Sequence, residues 1–383
     1  MKMIWPFSFY FLYFAAISSF MPFIVLFYQQ LNFSGAQIGL LTGIPPLITM
    51  AGASFGTGLA DSMRRHKLIM SLGLVVAIVV GFVLPILSNF ALVFMLIVLF
   101  YIFFSPVGPL SDSATITMLG DQKAMYGRIR MGGTIGFGLF APIAGLLAQN
   151  YGLKVAFWAF SALMFVVLLV SQKFSFGKAD ASAYGNGGIK VLLMNRRWIY
   201  FLLIALLGGL GSFSVTSYLY PYMKELGSAE SQMGIAFTIA SVTEFPIFFF
   251  GNHLVKKFTA RGLFVLAVVL LGIRSLLLAV IHTTYLVWIV QAFGGMLFPA
   301  MWSAGVAYAD ENAPDGLKST GQGLFNAMAF GFGSAVSGFV GGMLLESVGG
   351  RGLFLVFGIV ILAGLVLIEA LNRIFPERET QAV

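Results

Sequence analysis

The chain has no cysteine, three histidines and few charges of either sign. Of its 383 residues 9% are charged, where a soluble domain carries about 25%. Without cysteine there is no disulfide framework, no thiolate metal site and no cysteine nucleophile. His66, His253 and His282 are scattered, which argues against a histidine metal cluster, and no cofactor is expected. What is abundant is apolar: 59% of residues are hydrophobic, with 40 Phe and 45 Gly. A soluble protein of this size cannot hide that much apolar surface, so the composition predicts a membrane protein. The net charge of +8 does not point to nucleic acid, because the basic residues sit in short loops between apolar spans rather than on one face.

A spanning helix needs ~20 apolar residues. The chain divides into twelve such stretches, near 5–31, 37–60, 68–88, 91–119, 126–149, 153–172, 198–223, 233–255, 262–282, 284–309, 320–346 and 351–374. This predicts an all-α membrane protein with twelve transmembrane helices. Outer-membrane strands would alternate in ~10-residue units with polar lumen positions, and no such pattern occurs. The first stretch is too long for a cleaved signal peptide, and no small-residue cleavage site follows it.

Lys and Arg set the orientation. With the N-terminus inside, seventeen of them fall in inside segments, from Lys2 to Arg378. Only Lys154, Lys224 and Arg351 fall outside. The positive-inside rule therefore predicts that both termini are cytoplasmic. The longest break, 173–197, is rich in Gly, Ser and Lys and reads as a cytoplasmic linker between an N-terminal bundle (1–172) and a C-terminal bundle (198–383).

The two halves repeat. Gln37-Ile-Gly39 matches Gln232-Met-Gly234, and Phe55-Gly56 matches Phe250-Gly251, both at an offset of 195. Gly145 and Tyr151-Gly152 find Gly342 and Val348-Gly349 at an offset of 197. Ser19-Phe20 likewise faces Ser212-Phe213. Parallel six-span repeats are the plan of the major facilitator superfamily, with a substrate site at the midplane between the halves.

An ion placed mid-bilayer costs ~2.5–3.5 kcal/mol even on a lenient scale. Four charges lie inside spans. Glu244 and Arg274, on consecutive antiparallel spans, both fall roughly 16–18 Å from the cytoplasmic face at 1.5 Å per residue, so they can meet. Asp112 and Arg130 repeat the arrangement around the loop between spans 4 and 5. Either pair could be a structural bridge locking a helix hairpin. A buried pair is nevertheless poor value for stability, and protonating an acid beside an Arg frees the Arg for a ligand. Each half is thus predicted to aim one acid and one Arg at a central cavity.

Gly132, Gly133, Gly136 and Gly138 in span 5, and Gly331, Gly333, Gly338, Gly341 and Gly342 in span 11, read as packing surfaces. No strand precedes them and no GxxxxGK[ST] occurs, which argues against nucleotide binding. Among the aromatics, Tyr13 and Phe20 are candidates for the cavity wall. Phe137 is better placed, lying seven residues after Arg130 on one helix face.

Some motifs resemble a known family. Phe103-Phe-Ser-Pro-Val-Gly-Pro109-Leu-Ser-Asp112 resembles the matching segment of the phenylpropionate permease family. Tyr126-Gly-Arg-Ile-Arg130-Met-Gly-Gly-Thr-Ile-Gly136-Phe137 resembles a span 5 signature shared with the lactose permease family. The surroundings of Glu244 and Arg274 fit the phenylpropionate-permease pattern too. The resemblance implies that Asp112 and Arg130 bind substrate, with Thr134 and Phe137 beside them. It implies that Arg274 takes part in coupling. Gln291, in span 10, joins the expected substrate wall. Gly294 and Leu297 stand where the lactose permease family has its proton-transfer residues, so the proton falls to Glu244 or Asp112, and Glu244 is preferred as the deeper. Asp61, Arg64 and Arg65 resemble the superfamily's gating-loop signature, in which the Asp pairs across helices, although Arg64 occupies a position expected to be Gly.

These readings predict a transporter, not an enzyme: a proton-coupled symporter of a small polar or anionic organic solute, such as an aromatic carboxylate, sugar or nucleoside. An exporter of amphipathic cargo on the same fold is the rival. The expected partners are the lipid bilayer, substrate and protons, in a monomer of the bacterial inner membrane.

Overall fold

The computed structural model describes residues 3–177, 188–314 and 316–374, and the backbone alone at 188–189 and 248–256. Lys2, Arg378 and residues 178–187 of the predicted linker, Lys178 among them, lie outside the described residues, as does the Lys256 side chain. Among the described residues all regular structure is helical and there is no strand.

The first stretch is α1 (Ile4–Phe20), a 3-10 turn at Met21–Phe23 and α2 (Ile24–Gln30). Pro22 sits in that turn, where a missing N–H does least damage. There follow α3 (Gly35–Met63), α4 (His66–Val83), α5 (Phe90–Phe104), α6 (Val107–Leu119), α7 (Tyr126–Tyr151) and α8 (Leu153–Ser171). After the central connection come α9 (Gly188–Met194), α10 (Arg196–Glu225), α11 (Glu230–Phe258), α12 (Ala260–Val280), α13 (Thr284–Gly294), α14 (Leu297–Asn312) and α15 (Lys318–Asn326). A π-helical segment, Ala327–Gly333, then leads into α16 (Ser334–Ile374). Helix starts are locally encoded. Ser34 and Gln37 form a reciprocal capping box at α3, and Asn89 caps α5.

Nine described helical stretches are long and apolar enough to cross a membrane. Two of them, Phe90–Tyr151 at 62 residues and Lys318–Ile374 at 57, exceed the ~20 residues of one crossing. Each reverses inside, the first at Gly120–Met125 and the second at Gly349, whose φ of +69° is the left-handed conformation glycine tolerates. The chain is thus an all-helical, multi-pass protein.

Each half packs around aromatic rings. Phe20 meets Phe100, Phe157 and Phe160. Phe201 meets Phe264, Tyr308 and Phe325. The sequence repeat reappears as a repeated helix contact. Gly136 of α7 lies against the backbone of Phe11, and Gly333 against the Leu206 carbonyl, where an added Cβ would sit at 2.6 Å. Leu206 is Phe11 shifted by 195, and Gly333 is Gly136 shifted by 197.

Two seams join the halves at the end of the bundle that carries the 31–34 turn. In one, Gly35 and Gly39 of α3 press on Gly342 and Phe339 of α16, and the Gly35 amide donates to Glu346 Oε2 at 2.8 Å. In the other, Gly145 and Ala141 of α7 press on Glu230 and Gly234 of α11, and Ser231 donates to Gln149 at 2.6 Å. The same offsets relate Gly39 to Gly234 and Gly145 to Gly342, so one contact is built twice.

Candidate functional site

Between the halves lies a cavity of about 660 Å³, within the range that holds a small-molecule ligand. Its N-terminal wall is α7, with Arg130, Met131, Thr134 and Phe137, together with Phe14 of α1. Its C-terminal wall draws on five helices, α10 to α14, and includes Ser212, Phe213, Phe237, Glu244, Arg274, Gln291 and Phe298. The lining also reaches Ala124, Gly127 and Arg128, exposed residues at the end of the bundle opposite the two seams.

On the N-terminal side the predicted pair forms. Arg130 Nη1 donates to Asp112 Oδ2 at 3.0 Å and to the Tyr126 hydroxyl at 2.7 Å. The Tyr10 hydroxyl donates to the other Asp112 oxygen at 2.5 Å. Arg130 reaches the cavity wall, with Asp112 behind it. Thr134 and Phe137 follow Arg130 at helical spacings of four and seven and share its face. Phe137 touches Phe237 of the other half edge-on, ring centres 5.8 Å apart.

The C-terminal side differs from the expectation. Glu244 and Arg274 line the same cavity, but among the described residues no salt bridge joins them. Arg274 Nη2 instead donates to Gln291 Oε1, and both residues are buried. Gly294 is the reason. A Cβ there would collide with the Arg274 Nε and Cζ atoms, so the absent side chain is the space in which the guanidinium lies. Leu297, the other departure in span 10, is buried at 4% exposure.

Two further candidates lie away from the wall. Phe20 is fully buried among the rings of the N-terminal core, which is where its size is accommodated. Tyr13 is stacked between Phe9 and Phe104. Neither is among the residues lining the cavity.

At the predicted gating loop, Arg64 has φ +52°, so the left-handed turn that favours glycine is present with Arg in it. Asp61, near the end of α3, bonds to His66 Nε2, the first residue of α4, at 2.6 Å, so its contact spans the tight turn between consecutive helices. Contact with the rest of the bundle comes from Lys67, which donates to the Gln172 carbonyl at 2.6 Å, and from His66, which stacks on Phe176. Arg65 is exposed.

Sequence reasoning missed Tyr10 and Tyr126 as partners of the pair. Tyr126 was discoverable, since it precedes Arg130 by one helical turn. Ser212 and Phe213 were visible only as repeat mates of Ser19 and Phe20.

The family described as MFS_1 like matches residues 4–356. Maltose permease of Geobacillus stearothermophilus is 28% identical over 374 residues, 97% of this chain and 95% of that protein. The probable 3-phenylpropionic acid transporter of Escherichia coli (strain K12) is 23% identical over 367 residues, 94% of this chain and 95% of that one. The crystal structure of the nucleoside transporter NupG shares the fold with a TM-score of 0.84 at 17% identity, over 97% of this chain and 99% of that one. These relatives are transporters rather than enzymes. With helices fit to cross a membrane and a ligand-sized cavity between its halves, the chain belongs to the MFS_1 like family and is a membrane transporter of the major facilitator superfamily.

Proposed function

We propose that this transporter is a proton-coupled symporter of a small polar or anionic organic solute. The observation that carries the reading is a single cavity that holds Arg130, Arg274 and Glu244, drawn from both halves, with Arg128 at its exposed end. Intramembrane charge of this kind marks substrate and proton pathways. Asp112 and Arg130 bind substrate from the N-terminal half, with Thr134 and Phe137 as wall. Glu244 carries the proton, with Arg274 as its charge partner. The similar proteins named for maltose, 3-phenylpropionic acid and nucleosides support a solute of this size.

The excess of Lys and Arg in one set of loops supports twelve crossings with both termini in the cytoplasm, in a bacterial inner membrane. In that orientation the cavity faces the cytoplasm and the two seams close the outside. Access alternates when the seams part. The chain works as a monomer, since the cavity draws its walls from one copy.

Uptake into proteoliposomes under a pH gradient tests the assignment. Glu244→Gln is expected to abolish uphill uptake and to leave counterflow exchange. A variant that still concentrates substrate removes Glu244 as proton carrier. The five phenylalanines on the wall, Phe14, Phe137, Phe213, Phe237 and Phe298, support the second reading, export of amphipathic cargo. Oriented vesicles separate the two by the direction of coupled flux.

A further inference from the structure

The C-terminal wall contains polar atoms that the protein itself leaves unsatisfied. Arg274 is 6% exposed, Gln291 0% and Ser212 7%, and all three line the cavity. Arg274 Nε, Gln291 Nε2 and Ser212 Oγ have no hydrogen-bond partner among the described residues. Buried donors without partners are costly, so such groups need an explanation.

The bond between Arg274 and Gln291 fixes what is left over. Gln291 Oε1 accepts from the guanidinium, so the amide NH2 is the group left without a partner. Arginine has donors only. The two side chains together therefore present N–H groups and one positive charge. Ser212 adds a hydroxyl to the same cavity from a third helix, α10, which packs on α12. No salt bridge neutralises Arg274 among the described residues. Beyond these groups the wall of the same half carries Phe213, Phe237 and Phe298, with the Glu244 carboxyl and the Thr216 and Ser241 hydroxyls.

We infer that Arg274, Gln291 and Ser212 form a head-group subsite for a substrate carboxylate, whose apolar body lies against the phenylalanines. This rests on the symport reading and narrows its substrate class. With Glu244 protonated the wall offers mainly donors, to which a hydroxyl-rich neutral solute brings as many donors as acceptors. A carboxylate brings acceptors only, together with the negative charge that Arg274 loses when Glu244 takes up the proton. When Glu244 holds the proton, the loaded wall contains one guanidinium, one substrate carboxylate and one neutral acid. One negative charge and one proton then cross together, and transport moves no net charge.

The test uses the full purified chain. Thermal shift and titration calorimetry compare aryl-alkyl monocarboxylates with their primary amides and alcohols. The carboxylates are expected to bind at least about tenfold more tightly, as loss of a charge-assisted bond predicts. Gln291→Glu keeps an acceptor for Arg274, so the fold is retained, but it occupies the guanidinium with the protein's own carboxylate. Carboxylate affinity should fall at least about tenfold, and about threefold in Ser212→Ala. In proteoliposomes, clamping the membrane potential at different values should leave uptake driven by the pH gradient unchanged.

The inference is overturned if amides, sugars or nucleosides bind as tightly as carboxylates. It is equally overturned if no carboxylate binds, if Gln291→Glu leaves affinity intact, or if uptake rises with an inside-negative potential. The binding arms need no gradient. Carboxylate selectivity in a protein whose Glu244→Gln variant still concentrates substrate sinks the coupling assignment and spares the subsite. Lost selectivity with intact coupling does the reverse.

Discussion

The two halves share one backbone plan and hold charge in opposite ways. In the N-terminal half the ion pair is complete. Both Asp112 oxygens are engaged, Arg130 has a second bond to Tyr126, and the side chains remain 31% and 46% exposed. In the C-terminal half Arg274 is 6% exposed, bonded to a neutral amide, with Glu244 elsewhere on the same wall. A pair near water is worth about 0–1 kcal/mol, so it can open for a ligand at little cost. A buried guanidinium leaning on one amide is far more sensitive to its neighbours. The duplication thus preserved helix contacts while the charged groups diverged.

The sharpest way to break this contrast is to remove the amide. Gln291→Leu leaves the Arg274 charge buried without its acceptor and should destabilise the purified protein by about 3 kcal/mol. Chemical unfolding measures it, and a loss under about 1 kcal/mol would mean that the guanidinium finds another partner. A smaller loss follows from filling its space. Gly294→Ala places a methyl group where Arg274 Nε and Cζ lie, which should cost about 1–3 kcal/mol by overpacking. The same change should push the guanidinium off Gln291 and weaken substrate binding about tenfold, as about 1.4 kcal/mol requires. In the N-terminal half, Tyr10→Phe removes one of two bonds to a half-exposed carboxylate. It should cost about 1 kcal/mol and leave binding within about threefold. A Tyr10→Phe loss as large as that of Gln291→Leu would erase the distinction between the halves.

Much of this was readable because charge in lipid is expensive. Asp112, Arg130, Glu244 and Arg274 stood out against a chain with 9% charge, and three of them line the cavity. The repeat, read from Gly39 and Gly234 or Gly145 and Gly342, coincides with the two seams. What stayed hidden carries no such penalty. Gln291 is neutral, so nothing in the sequence announced it as the partner of Arg274. Gly294 acts through the side chain it lacks, which periodicity cannot register. Phenylalanines were indistinguishable in a chain with 40 of them. Phe20 and Phe213 read alike, yet one fills the N-terminal core and the other lines the cavity. Arg64 looked like a departure from a glycine position, and the left-handed turn survives it.

The smallest expected effect tests the same divergence at the closed end. One seam uses a carboxylate, Glu346, on the first amide of α3. Its counterpart uses a neutral bond between Ser231 and Gln149, where Gln149 is Glu346 shifted by 197. Glu346→Gln keeps an acceptor for the Gly35 amide and removes only the charge at a helix N-terminus, worth about 0.3–1 kcal/mol. The seam should therefore part about two to five times more often. The chain has no cysteine, so a single cysteine in place of Ile38, buried on α3 at 4% exposure, reports the parting. Its maleimide labelling rate should rise by that factor when Glu346→Gln is added. Gln149→Glu is the mirror experiment, and it should not tighten the other seam. The new carboxylate would face Glu230, the first residue of α11, which already holds Lys224 at 2.6 Å. An unchanged labelling rate in Glu346→Gln would mean that the first seam holds by packing of small residues alone, and that the halves differ in charge only around the cavity.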